Sequence, residues 1–99
     1  MKNTEKQILE IAKKVLQDLN GEYYDEKNLV KITFNKNDTV ARPFGAIIDT
    51  WTVSIDALFN NRDFLTISDE TGEPLYYQNF NTLIAEIEKN SDGKYVTKN

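Results

Sequence analysis

The sequence predicts an α+β domain in which an N-terminal helix packs on one face of a curled antiparallel meander of about five strands. Three observations predict it. Apolar residues recur with helical spacing over residues 4–20, the apolar period falls to two after residue 30, and clusters of Asn, Asp and Gly separate the alternating runs.

The helix is the plainest element. Ile8, Ile11, Ala12, Val15, Leu16 and Leu19 fall three and four residues apart, with Leu9 widening the stripe and Lys6, Glu10, Lys13, Lys14, Gln17 and Asp18 opposite. Thr4 followed by Gln7 reads as a capping box, and Asn20-Gly21 as the stop. Val30, Ile32 and Phe34 then alternate with Lys31 and Thr33, giving a half-buried strand that Asn35-Lys36-Asn37-Asp38 is expected to close as a turn. Pro43 keeps residues 39–45 out of a central ladder. Trp51, Val53 and Ile55 define the next strand, and residues 57–62 read as a short helical turn or loop around Asn60-Asn61.

Leu65 and Ile67 mark another strand, ending at Asp69. Gly72 supplies the turn after it, and an aromatic-rich strand runs from Leu75 to Phe80. The alternation of Leu83, Ala85 and Ile87, followed by Asn90-Ser91-Asp92-Gly93, favours a hairpin with Lys94 to Thr97 over a short helix. The 99 residues make one domain, with no repeat or low-complexity tract and a polar end at Lys98-Asn99.

Composition narrows the chemistry. Without cysteine or histidine there are no disulfides, no thiolate or imidazole metal ligands, and no general base of the commonest kind. The four glycines are isolated, so no phosphate loop is present. Neither Asp69-Glu70-Thr71-Gly72-Glu73 nor Asn90-Ser91-Asp92-Gly93 has calcium-loop spacing. Asp49, Asp56, Asp63, Asp69, Glu70 and Glu73 gather at strand ends, where solvated turns explain them better than a catalytic carboxylate pair. No catalytic residue, metal ligand or cofactor site is expected.

A net charge of −4 with only two arginines opposes nucleic-acid and anionic-membrane binding. The opening residues Met1 to Gln7 lead into no apolar core of a signal peptide, and no run approaches the roughly 18 apolar residues that span a bilayer. The expected location is the cytoplasm. The expected partner is another protein, bound by a chain that folds alone or as a small homo-oligomer.

Candidate partner-binding residues are Arg42, Phe44, Arg62, Tyr76 and Phe80, because aromatic and arginine side chains most often anchor interfaces. Tyr76 and Tyr77 must point to opposite faces, with Trp51 and Tyr77 read as core and Tyr76 as exposed beside Gln78 and Phe80. The alternative is a small-ligand domain of the cystatin or NTF2 type, with Trp51, Phe64 and Tyr77 lining a pocket inside the curled sheet.

Four segments also carry a resemblance. Ile8-Leu9-Glu10-Ile11-Ala12-Lys13-Lys14-Val15-Leu16 resembles the opening helix of YrhB-like and NTF2-fold immunity proteins of bacteria. Arg42-Pro43-Phe44-Gly45 resembles the loop before their central strand, Trp51-Thr52-Val53-Ser54 that strand, and Asp69-Glu70-Thr71-Gly72-Glu73-Pro74-Leu75 their later hairpin turn. That turn is also similar to one in PepSY-type domains. The chain departs from the YrhB-like pattern in placing Trp51 well after Gly45 instead of directly behind it. The resemblance implies a helix-plus-meander fold and neutralisation of a toxin by binding, and it supplies no catalytic residues.

Overall fold

A computed structural model describes residues 1–98, the side chains of Tyr23 and Leu58 aside. Helix α1 spans Glu5–Asn20 and opens on the expected capping box: the Gln7 N–H donates to Thr4 Oγ1 at 3.2 Å and the Thr4 N–H to Gln7 Oε1 at 2.7 Å. It ends at Gly21, whose φ of 56° lies in the left-handed half of the map, where glycine alone is unstrained. Ile8, Ala12, Val15 and Leu16 are its buried stripe. Among the described residues no helix is long and apolar enough to cross a membrane.

Six strands follow: β1 Leu29–Thr39, β2 Ile47–Asp56, β3 Arg62–Ser68, β4 Pro74–Gln78, β5 Ile84–Lys89 and β6 Tyr95–Thr97. Each pairs antiparallel with the next, in the order β1-β2-β3-β4-β5-β6. The sheet thus has one strand more than the expected number, the last hairpin completing it. Its turn is held by Asn90, whose Oδ1 accepts from the N–H groups of Asp92 and Lys94.

Register assigns the faces. Val53 stands opposite Ile32 on one side and Leu65 on the other, and Leu65 stands opposite Tyr77. These side chains, with Trp51, Ile55 and Ile67, meet the stripe of α1 in one core, where each fully buried Leu or Ile contributes roughly 2 kcal/mol. The reverse face carries Thr33, Thr52, Thr66 and Tyr76 in a row.

Three expectations need correction. Residues 35–38 do not turn; β1 continues to Thr39, with a register shift between Asn35 and Asp38 that accommodates a φ of 53° at Asn37. Contacts to β2 override the local turn chemistry: Asn35 Nδ2 donates to Thr52 Oγ1 at 2.7 Å, the Asn37 N–H to Asp49 Oδ1 at 2.8 Å, and Thr50 Oγ1 to Asp38 Oδ2 at 2.7 Å. The turn falls instead at residues 40–46.

Second, Tyr76 is not exposed. It does face away from α1, but the 40–46 loop folds over that face, the Ala41 N–H donates to the Tyr76 hydroxyl at 3.3 Å, and only 7% of Tyr76 meets solvent.

Third, Asp69 is not a solvated turn residue. It is 2% exposed and accepts from Trp51 Nε1 at 2.8 Å, the Lys2 N–H at 2.7 Å and the Asn3 N–H at 3.0 Å. Burial opposes the charge, yet these donors outweigh it and hold the carboxyl below the usual carboxylate range.

A depressed native pKa means that the ionised form stabilises the fold. The contribution is present above the unfolded value of about 3.9 and is lost as pH falls through the lower native value. Removing the carboxylate strands the Trp51 indole N–H in the core. We expect Asp69→Ala to lower the free energy of urea unfolding by about 3 kcal/mol at neutral pH. Asp69→Asn should flatten the acid limb of the wild-type stability profile, measured as the urea midpoint against pH.

Candidate functional site

In an antiparallel meander, alternate connections share an end. The connections β2–β3, residues 57–61, and β4–β5, residues 79–83, lie together at one end, while 40–46 belongs to the other. The five candidate side chains divide accordingly. Arg62, the first residue of β3, and Phe80 are at the first end; Arg42 and Phe44 are on the 40–46 loop; and Tyr76 is buried beneath that loop. Both arginines are engaged, with Arg62 Nε 3.7 Å from Asp56 Oδ1 and Arg42 Nε 3.5 Å from Glu86 Oε1. No single patch contains all five.

The end bearing Arg62 and Phe80 is built around Asp63. Its Oδ2 accepts from the Tyr77 hydroxyl at 2.6 Å and its Oδ1 from the Phe80 N–H at 3.0 Å, so one carboxylate joins β3, β4 and the 79–83 loop. Burial, then the hydrogen bond and charge of Asp63, push the Tyr77 hydroxyl well above the ordinary tyrosine value, and it stays a donor. Asn79 holds the loop closed, its Oδ1 accepting from the N–H groups of Asn81 and Leu83. The Ala57 N–H, donating to the Asn61 carbonyl at 2.9 Å, closes the neighbouring loop. Ile55, Ala57, Asp63, Tyr77 and Phe80, with Asn20 at the end of α1 and Asn28 before β1, border a depression of ≈ 430 Å³.

What this end offers is apolar surface. Phe59, Phe64, Phe80 and Leu83 are exposed, Phe59 to 90%. Its backbone is left-handed, φ 58° and ψ 41°, and Asn60 follows at φ 61°. Asparagine tolerates that region; a phenylalanine there is a true outlier. Sequence reasoning placed a loop at this position and missed Phe59. The available signal was a Leu-Phe pair set directly before Asn60-Asn61, with no strand alternation to bury it.

At the opposite end Phe44 is equally exposed, but its loop takes up the turn at Gly45, φ 77°, and is pinned by the Val40 N–H to the Ala46 carbonyl at 2.9 Å. Phe44 therefore stands on unstrained backbone.

The proposed ligand-lining trio does not converge. Trp51 and Tyr77 face α1, Phe64 lies on the reverse face opposite Ser54 and Gln78, and the Trp51 ring is sealed against Phe34 at a centroid distance of 5.1 Å. Among the described residues no three acidic side chains are placed to hold a metal ion.

Comparison with protein-family models, curated proteins and solved structures finds no significant match to this chain. The resemblance to YrhB-like, NTF2-fold and PepSY-type domains rests on the four sequence segments alone.

Because Phe59 packs against little and sits in strained backbone, shortening it should relieve the fold. A left-handed non-glycine residue costs about 1–2 kcal/mol, and glycine returns part of that through the freer unfolded chain. We expect Phe59→Gly to be about 0.5–1 kcal/mol more stable than wild type in urea unfolding. A destabilised Phe59→Gly variant would show that the ring has a packing role.

Proposed function

We propose that this chain is a non-catalytic protein-binding domain that docks through the end of its sheet carrying Phe59, Phe80 and Leu83. The observation that carries the reading is Phe59. An aromatic ring held almost wholly in solvent on left-handed backbone lowers stability twice over, and among the described residues no ring contact offsets it. Residues on loops at the rim of a rigid scaffold are where binding is most often placed. Rings of this kind at the centre of an apolar patch make effective interface anchors. Phe80 and Leu83 widen the patch from the adjacent loop, and Arg62 borders it.

The resemblance gives this reading its particular form, an immunity-type protein that neutralises a toxin by binding it. The net charge of −4 suits a target with a basic surface. Catalysis is not part of the proposal: Asp18 and Asp69, the carboxyls held low, accept hydrogen bonds that join distant parts of the fold.

The test is affinity capture from the source cell's lysate with wild type, Phe59→Gly and Phe80→Ala in parallel. Retention of one stoichiometric partner by wild type, with loss of it by both folded variants, is the expected result. Equal capture by all three proteins would defeat the assignment of this surface.

A further inference from the structure

The depression at the docking end lies where the sheet outruns the helix. α1 stops at Asn20, whereas Ile55, Asp63 and Tyr77 continue the helix-side face of β2, β3 and β4. Ile55 stands opposite Asp63 in the register, so their side chains share that face, and Asp63 Oδ2 takes the Tyr77 hydroxyl there. The hollow of ≈ 430 Å³ between these residues and Asn20 opens beside Phe80.

Two independent features give the hollow one sign. The first is the Asp63 carboxylate. It offers about four lone-pair sites, of which the Tyr77 hydroxyl and the Phe80 N–H take two. Arg62 does not neutralise it. Successive strand residues face opposite sides of a sheet, and Arg62 is held on the far side by its register partner Asp56 at 3.7 Å. The second feature is the end of α1. A helix of 16 residues carries partial negative charge at its C-terminus, and α1 has no basic residue in its last turn to offset it. No lysine or arginine borders the hollow, while the amides of Asn20 and Asn28 add carbonyl acceptors at its rim. Ile55, Ala57 and Phe80 complete it with apolar walls.

A guest that suits these walls has an apolar stem and a positive head. We propose that the hollow receives an arginine side chain of the protein partner. Its guanidinium meets Asp63 and the end of α1, its methylenes lie on Ile55 and Ala57, and its plane stacks on the Phe80 ring. Arginine fits better than lysine because the acceptors come from three places: β3, the end of α1 and Asn28 before β1. A guanidinium spreads five N–H donors in a plane, whereas an ammonium is a compact point charge. This inference rests on the docking end proposed above and names the chemistry of what docks there. The exposed rings supply apolar contact, and the hollow beside them supplies selection for charge.

The probe is Nα-acetyl-arginine amide, compared at neutral pH with its citrulline counterpart, which keeps the shape and loses the charge. The amide NMR signals of Asn20, Asn28, Ala57, Asp63 and Phe80 should shift saturably with the arginine probe and stay in place with citrulline. Asn28→Lys brings a cation to the rim at an exposed position and should weaken binding at least about tenfold, whereas Phe59→Gly should leave it unchanged. Asp63→Asn should lose the preference for arginine over citrulline, with a dispersed amide spectrum showing that the variant is folded. Equal shifts with both probes, shifts confined to other residues, or no shifts would each overturn the proposal. So would a captured partner that Phe59→Gly loses and Asn28→Lys retains, a result that leaves the docking end itself in place.

Discussion

The carboxylate of Asp69 sits where three parts of the chain meet, and the rest of the architecture hangs on its hydrogen bonds. It takes the indole N–H of Trp51 from β2 and the backbone N–H groups of Lys2 and Asn3 from the approach to α1. Its own backbone carbonyl accepts from Asn3 Nδ2 at 2.7 Å, and its N–H donates to the Asp49 carbonyl at 3.0 Å. A buried charge is tolerated only when such donors replace water. Meeting that condition fixes the start of the helix, the central tryptophan and the β3–β4 turn relative to one another. Asp18 repeats the device at the far end of α1, accepting from Lys14 Nζ at 2.6 Å and from the Tyr95 N–H of β6 at 3.0 Å. The helix is thus fastened at both ends to opposite regions of the sheet.

That fastening leaves the remaining surfaces free to differ in character. The 57–61 and 79–83 loops project from the ends of β2 to β5 and present apolar side chains. The edge of β1 presents the main-chain groups of an 11-residue strand. The first has the character of surfaces recognised through buried rings. Such recognition needs no cleft, which accords with a core in which the polar groups of Trp51 and Tyr77 are spent on Asp69 and Asp63. Asp63 keeps the first surface in register with the core by joining Tyr77, whose ring packs there, to the backbone of Phe80.

Much of the fold was legible in the sequence because it is local. The capping box of α1, its stripe, the alternation in β2 and β3 and the Asn90 turn all depend on residues close in sequence. The misreadings share a different cause. Asn35-Lys36-Asn37-Asp38 has turn composition, yet the side chains of Asn35 and Asp38 bond across to Thr50 and Thr52 and the Asn37 N–H donates to Asp49, and pairing wins over propensity. Parity correctly sent Tyr76 and Tyr77 to opposite faces, but period two does not reveal that the 40–46 loop covers the second face. Asp69 resembled its acidic neighbours because donors more than 60 positions away leave no local trace. Arg62 and Phe80 lie at the proposed docking end, whereas Phe59 was overlooked because a ring in an Asn-rich turn matches neither the helical nor the strand template.

Site-specific photocrosslinking separates the two ends of the sheet most directly. A photoreactive phenylalanine analogue is placed at position 59 or at position 44, both 90% exposed in the native fold, and irradiated in living cells. The account predicts one discrete adduct from position 59 and none from position 44. An adduct from position 44 alone, or equal yields from both, would contradict it and move the interface to the 40–46 loop.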